Sequence, residues 1–182
     1  MESKKDIRKK VLNARNQISE KEWEENSHKI CQKVVSHPFF LQADTVYCYL
    51  NYLKEVGTQE IVEISWNLGK NVAVPKVEGE EMHFYYIDSY SDVASGYRNI
   101  LEPTTNRLAD GDFGLVIMPG VAFDRMRNRI GFGKGFYDRY MAKNSHLTSI
   151  AIAHEMQLVD NIVNDKFDYC PDILITEENI YV

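Results

Sequence analysis

The amino-acid sequence predicts an α/β fold with a mainly parallel sheet. β-Branched and aromatic runs alternate with stretches of helical periodicity, as strand–helix–strand units require. The run "LVIMPGVAF", residues 115–123, is almost continuously apolar, which suits a strand covered on both faces. A length of 182 residues fits one domain, 1–182, large enough to build a core without disulfides or structural metal.

Residues 4–18 read as a first helix, with Ile7, Val11, Ala14 and Ile18 on one apolar stripe. Ser19 and Glu22 make a capping box for a second helix reaching about Ser36. Its apolar face is Trp23, Ile30, Cys31, Val34 and Val35, and Pro38 ends it. "TVYCYLNY" (45–52) reads as a strand, and "TQEIVEISWNLGK" (58–70) as a helix with Gly69 near its end. "NVAVPKV" (71–77) is a second strand and "MHFYYI" (82–87) a third, whose place in the sheet the pattern leaves open. Residues 88–112 read as irregular, with turn signals at 102–104 and 110–114. After the apolar strand at 115–123 come a glycine-rich segment, a helix "FYDRYMAK" (136–143), a strand "TSIAIAH" (148–154) and a short strand "ILIT" (173–176). Ligands of parallel sheets gather at the C-terminal ends of strands, and the glycine segment begins just past one.

Composition narrows the function. There are 21 basic and 27 acidic residues, a net charge of −6, which argues against a general nucleic-acid binder. Three widely spaced cysteines, Cys31, Cys48 and Cys170, fit a reducing cytoplasm rather than a disulfide framework. The charged N-terminus "MESKKDIRKK" has no apolar core of a secretory signal, and no apolar run is long enough for a bilayer. The five histidines make no H-x-x-x-H pair, and no G-x-S-x-G elbow occurs, so zinc and serine-hydrolase chemistry are not indicated.

The segment "NRIGFGKGFYDRY", residues 128–140, carries the strongest signal. Its G-x-G-x-G spacing is neither the P-loop nor the dinucleotide fingerprint. Gly131, Gly133 and Gly135 nevertheless free the backbone to aim several N–H groups at one anion, ahead of a helix N-terminus. Arg129 and Lys134 add full charges; a flexible turn is the bland alternative. A second basic group lies on the first helix, where Lys4, Arg8 and Arg15 fall within roughly 40° of one another. They either reach into a cleft or form the snorkelling rim of a surface helix.

"MPGVAFDRMRNRIGFGKGFYDRYM" resembles the signature of the 5-formyltetrahydrofolate cyclo-ligase family. Pro119, Gly120, Phe123, Asp124, Arg129, Gly131, Gly133, Gly135, Tyr137 and Asp138 fit it. So do Lys4 and Arg8 of an N-terminal K-x-x-x-R, Glu55 within "YLNYLKEVGT", the segment "NILEPT" and the ending "FDYCPDILIT". The chain departs from the family at Phe132, where Arg is frequent, at Phe136, where Tyr is frequent, and at Asn128, where Gly is frequent.

The resemblance implies a three-layer α/β/α, Rossmann-like fold and small-molecule substrates, with no nucleic acid and no membrane. It implies ATP- and Mg2+-dependent conversion of 5-formyltetrahydrofolate to 5,10-methenyltetrahydrofolate, ADP and phosphate, by phosphorylation of the formyl oxygen. Phosphoryl transfer asks chiefly for positioning and positive charge. Lys134, Arg129 and Tyr137 are the implied catalytic residues. ATP would be held by Lys4, Arg8, Arg129, Ile130, Gly131, Phe132, Gly133, Lys134, Gly135, Phe136 and Tyr137. The folate would be held by Leu50, Glu55, Phe132, Gly133, Lys134, Gly135 and Phe136, with Glu55 accepting from the pterin's adjacent amino and ring N–H groups. Asp138 and Asp172 are the implied Mg2+ ligands. Two other readings stay open: an ATP-independent enzyme of sugar-phosphate isomerase type, and a non-catalytic nucleotide-binding module.

Overall fold

The computed structural model describes residues 2–96, 99–109, 111 and 113–182. In chain order the elements are α1 (Lys4–Arg15), α2 (Glu20–Val35), α3 (Pro38–Gln42), β1 (Thr45–Cys48), α4 (Gln59–Asn67), β2 (Asn71–Glu78), β3 (Glu81–Ile87), β4 (Val93–Ser95), β5 (Leu101–Pro103), β6 (Leu115–Met118), β7 (Ala122–Phe123), β8 (Arg129–Ile130), α5 (Phe136–Lys143), β9 (Thr148–Ile152), β10 (Ile173–Ile175) and β11 (Ile180–Tyr181). Seven strands form the main sheet in the order β11-β10-β9-β6-β1-β2-β3. The five inner strands are parallel, and β3 and β11 add antiparallel edges.

The inner order, β2-β1-β6-β9-β10, is that of a doubly wound sheet whose direction of winding reverses between β1 and β6. Right-handed crossovers leaving that boundary in opposite directions must lie on opposite faces. Accordingly α4 covers one face with Ile61 and Val62, and α5 the other with Tyr140 and Met141. The strands are buried on both sides. Val46 and Cys48 of β1 join the core under α2 and α4, while Tyr47 between them joins the core under α5. The three-layer α/β/α expectation therefore holds.

Local differences have local causes. α1 stops at Arg15, capped at Asn16, three residues before the expected end. α2 has already ended at Val35 when Pro38 arrives, and Pro38 instead starts the short α3, at a position where its missing N–H costs nothing. The strand expected over 45–52 stops at Cys48, because the chain beyond it folds into a tied loop. β3 returns beside β2 through a turn at Gly79, whose φ is 64°. Residues 93–95 and 101–103 pair as a small ribbon inside the stretch read as irregular. The turn signal at 110–114 lies partly outside the described residues.

The apolar run 115–123 is divided by Pro119-Gly120. β6 ends there, and β7 turns away to pair with β8 in a hairpin. Gly120 is needed at that turn. A Cβ there would overlap the buried ring of Phe123 at Cζ and come within 3.2 Å of Arg129 Cγ. Gly120→Ala is expected to destabilise the protein by about 1–3 kcal/mol through overpacking. A lowered urea midpoint with an unchanged slope would show it; an unchanged midpoint would sink this account.

Candidate active site

The C-terminal ends of β1 and β6 flank the point where the winding reverses, and both run into well-anchored loops. After β1, Tyr49 donates through its hydroxyl to the Val56 carbonyl at 2.9 Å, and Thr58 through its own to the Tyr49 carbonyl at 2.8 Å. α2 holds the same loop from outside: Trp23 Nε1 donates to the Glu55 carbonyl at 2.7 Å, and Gly57 N–H donates to Ser27 Oγ at 2.9 Å. The Glu55 side chain turns inward, only 7% exposed, and accepts from the Tyr52 N–H at 2.8 Å. Burial pushes its carboxyl above the usual carboxylate range, only partly offset by that N–H and by the charge of Arg15.

Past β6, Arg129 is carried on β8 beneath the glycine loop. Its side chain is 4% exposed and donates to Asp138 Oδ1 at 2.7 Å and to the Pro119 carbonyl at 3.4 Å, while Nε has no partner. Asp138 sits in the first turn of α5 and also accepts from the Tyr169 N–H at 3.1 Å. The loop reaches α5 through Gly133 and Gly135, with φ of 95° and 66°, a region costly for residues with a Cβ. Tyr137 follows. Its hydroxyl is buried without a partner, and its ring centroid lies 5.9 Å from the Arg129 guanidinium carbon. Burial, with the charge of Glu55 adding to it, keeps that hydroxyl protonated well beyond a phenol's ordinary range.

α1 lies along this edge. Ile7 and Val11 pack with Val121, Ala122, Ile130 and Ile162 in a small core of their own. That seat delivers Arg8 to the loop, where Nε donates to the Gly131 carbonyl at 2.9 Å. Lys4 pairs with Asp168 at 2.5 Å and Asp165 at 3.0 Å. The Lys134 side chain is exposed. One turn past Val11, Arg15 continues the buried line: its residue is 2% exposed, Nε and Nη1 have no hydrogen-bond partner, and its guanidinium carbon is 6.0 Å from the Phe132 ring centroid. Ala14, expected in the stripe, is exposed instead.

The structure thus gathers Lys4, Arg8, Arg129, Gly131, Gly133, Lys134, Gly135, Tyr137 and Asp138 around the loop, with Glu55 and Phe132 beside them. Ile130 contributes its side chain to the α1 seat, and Leu50 is half-buried against the core at the end of β1. The Phe136 ring turns away, under Arg139 at 5.3 Å and into the groove between β3 and α5. Asp172 stands apart from the loop. β10 is parallel to β9, so the residue before it lies at the N-terminal edge; there Asp172 accepts from Ser149 N–H at 2.8 Å and Ser149 Oγ at 2.9 Å. The carboxylate brought to the loop is Asp168, next to the Tyr169 that binds Asp138. Lys4 hydrogen bonds hold it below the ordinary carboxylate range although burial opposes them, and Arg129 adds to the shift. Both aspartates stand in the same quoted motif, and only the direction of the strand separates them. Among the described residues no cluster of three or more His, Cys, Asp or Glu could hold a metal alone.

A model of the 5-formyltetrahydrofolate cyclo-ligase family matches residues 1–177. A Schizosaccharomyces pombe protein named probable 5-formyltetrahydrofolate cyclo-ligase is 31% identical, with 85% of each chain covered. The 5-formyltetrahydrofolate cyclo-ligase of Escherichia coli K12 is 25% identical over 94% of this chain and 98% of its own. The solution structure of Aquifex aeolicus 5,10-methenyltetrahydrofolate synthetase superposes with a TM-score of 0.86 at 32% identity, covering 97% of this chain and 91% of that one. The chain belongs to the 5-formyltetrahydrofolate cyclo-ligase family. No helix among the described residues is long and apolar enough to cross a membrane.

His154, fully buried just beyond β9, faces the Lys54 carbonyl through Nε2 at 3.2 Å. Burial pushes its imidazole down to about 4 from an ordinary 6.5. The unfolded chain therefore takes up this proton first on acidification. Stability is full above the unfolded value and is lost as pH falls from 6.5 toward about 4. The loss should total about 3 kcal/mol. His154→Gln should flatten this part of the profile in urea titrations at pH 7.5 and pH 4.5; parallel profiles would refute the assignment.

Proposed function

We propose that this cyclo-ligase family member converts 5-formyltetrahydrofolate to 5,10-methenyltetrahydrofolate and uses ATP to do so, releasing ADP and phosphate. The observation that carries the reading is the pairing of two chemistries at one sheet edge. A glycine loop ringed by cations suits a polyphosphate, and a buried, anchored carboxylate at the neighbouring strand end suits a heterocycle rich in N–H donors.

The N5 formyl group is an amide, so its carbon is a poor electrophile and its oxygen a poor leaving group. In the proposed reaction the formyl oxygen attacks the γ-phosphorus and the bond to ADP breaks. N10 then forms its bond to the activated carbon, phosphate leaves with the former formyl oxygen, and N10 gives up its proton. Lys134 and Arg8 would neutralise phosphate oxygens along with the loop N–H groups. Arg129, oriented by Asp138, would supply fixed positive charge at the transferred group. Tyr137 has its ring beside Arg129 and feels the charge of Glu55, and its protonated hydroxyl would donate where the formyl oxygen becomes a phosphoryl ester.

Mg2+ fits this edge as an ion that keeps several waters and needs only one or two protein carboxylates beside the nucleotide. Asp138 and Asp168 would hold it, and it would supply charge neutralisation on the phosphates. Lys4, paired with Asp168, would then be freed toward the nucleotide.

Mixing the protein with 5-formyltetrahydrofolate, Mg2+ and ATP should raise near-ultraviolet absorbance from the methenyl product, and leaving out ATP should abolish the rise. A flat trace from folded protein would end this reading. Lys134→Ala should raise the KM for ATP and lower kcat, each by roughly tenfold for one charge-assisted contact. Glu55→Gln should weaken folate binding by roughly 30-fold with the KM for ATP unchanged. The reverse pattern would assign Glu55 to the nucleotide.

A further inference from the structure

Arg15 is the group at this edge that neither the packing nor the phosphate chemistry accounts for. Its position on α1 continues the line of Ile7 and Val11, where an apolar side chain would complete the stripe. A snorkelling role is ruled out by its 2% exposure. A core ion pair is ruled out too: Nε and Nη1 lack any partner, although Glu55 is near enough for each to feel the other's charge. A guanidinium buried without partners is destabilising, and so is a carboxylate held inside beside it. The two remain apart in a region that also has a half-exposed aromatic ring, Phe132, at 52% exposure.

Arg15 is also displaced from the phosphate end. Lys4 and Arg8 are engaged with Asp168 and the glycine loop. Seven residues beyond Arg8, Arg15 stands about 10 Å further along the helix axis. It shares its surroundings with Glu55, Tyr49 and His154, which are carried by the loops after β1 and β9. α1 therefore spans from the polyphosphate end of the edge to the heterocycle end.

We infer that Arg15 and Glu55 together read the pyrimidine edge of the substrate's pterin, Glu55 accepting from the 2-amino and N3–H groups and Arg15 donating to the 4-oxo oxygen. This rests on the folate reading given under the proposed function. A 2-amino-4-oxo ring presents donor, donor and acceptor side by side. A carboxylate followed by a guanidinium is the complementary sequence of charges. The ring slides between the two charges, satisfies both without making them touch, and lays its face against Phe132. A 4-amino-4-deoxy ring puts a donor where Arg15 offers a donor and an unprotonated N3 where Glu55 accepts from N3–H, so Arg15 adds to Glu55 in making the site selective for the 4-oxo form.

The test is the dissociation constant of 5-formyltetrahydrofolate and of a 4-amino-4-deoxy folate analogue, by calorimetry, for the wild-type chain, Arg15→Met and Arg15→Lys. The wild type should prefer the 4-oxo ligand by about 30-fold or more, as a site built around a hydrogen bond does. Arg15→Met should lose roughly that factor for 5-formyltetrahydrofolate, bind the 4-amino analogue within about threefold of wild type, and keep its KM for ATP. Arg15→Lys, with one charge and no fork, should fall between them. Equal weakening of both ligands, or a change confined to the KM for ATP, overturns the inference. If Arg15→Met fails to fold by circular dichroism, the wild-type ratio and Arg15→Lys decide, and a wild-type ratio near one overturns it. Folded wild type that binds no 5-formyltetrahydrofolate overturns the folate reading, and this inference with it.

Discussion

The buried ion pair between Arg129 and Asp138 sets the shape of the sheet's C-terminal edge. A guanidinium as enclosed as this one requires a partner, because an uncompensated buried charge costs several kcal/mol. Asp138 supplies that partner from the start of α5, so the pair spans the glycine loop and fixes both its ends. The space it occupies explains two of the glycines. A Cβ at Gly131 would stand 2.9 Å from Arg129 Nη1, and one at Gly120 would collide with Phe123 beside the Arg129 stem. The Tyr169 N–H on Asp138 then draws in the segment before β10, bringing Asp168 to Lys4. The glycine loop is therefore as much a consequence of internal electrostatics as of any ligand's need for close approach.

Topology decides where these groups meet. Reversal of winding between β1 and β6 leaves a crevice that no crossover helix covers, since α4 and α5 depart to opposite faces. α1 comes before the first strand and is free to lie there. Ile7 and Val11, with Leu12 packed against the same cluster, seat it, and Lys4, Arg8 and Arg15 are carried on the same helix. A chain with a net charge of −6 thus concentrates positive charge at one edge.

Much of this was legible in the sequence, and the places where the structure differs in detail share a cause. Alternating elements, the doubly covered strands and the helix after the glycine loop all follow from local periodicity, which the tertiary structure does not oppose. Ala14 and Arg15 are adjacent, and hydropathy assigns the buried place to alanine. The structure buries the arginine because α1 packs along Ile7 and Val11 at a phase that only the hairpin partner determines. Asp168 and Asp172 are four residues apart in one motif. Which of them reaches the loop depends on β10 running parallel to β9, a fact of strand direction that spacing does not contain. Phe136 and Tyr137 likewise diverge because a helix sends successive residues to different sides, and the loop's two left-handed glycines set that phase.

The departure at Phe132 makes sense against the buried arginines. At the position where the resemblance in sequence leads one to expect Arg, this chain already has Arg15 enclosed nearby and Arg129 beneath the loop. A further guanidinium at position 132 would add like charge near groups that have few counter-ions. Phenylalanine instead offers Arg15 the face of a ring, with the guanidinium carbon 6.0 Å from its centroid. The cost is an aromatic side chain left 52% exposed on a loop. An apolar ring in that position loses stability in water and recovers it only when something flat covers it. Exposed ring, unpaired guanidinium and enclosed carboxylate are each unfavourable alone, and one planar ligand with donors and an acceptor along its edge relieves all three. Local rules of burial and pairing fail together here, as they would where the complementary surface belongs to the ligand we propose rather than to the chain.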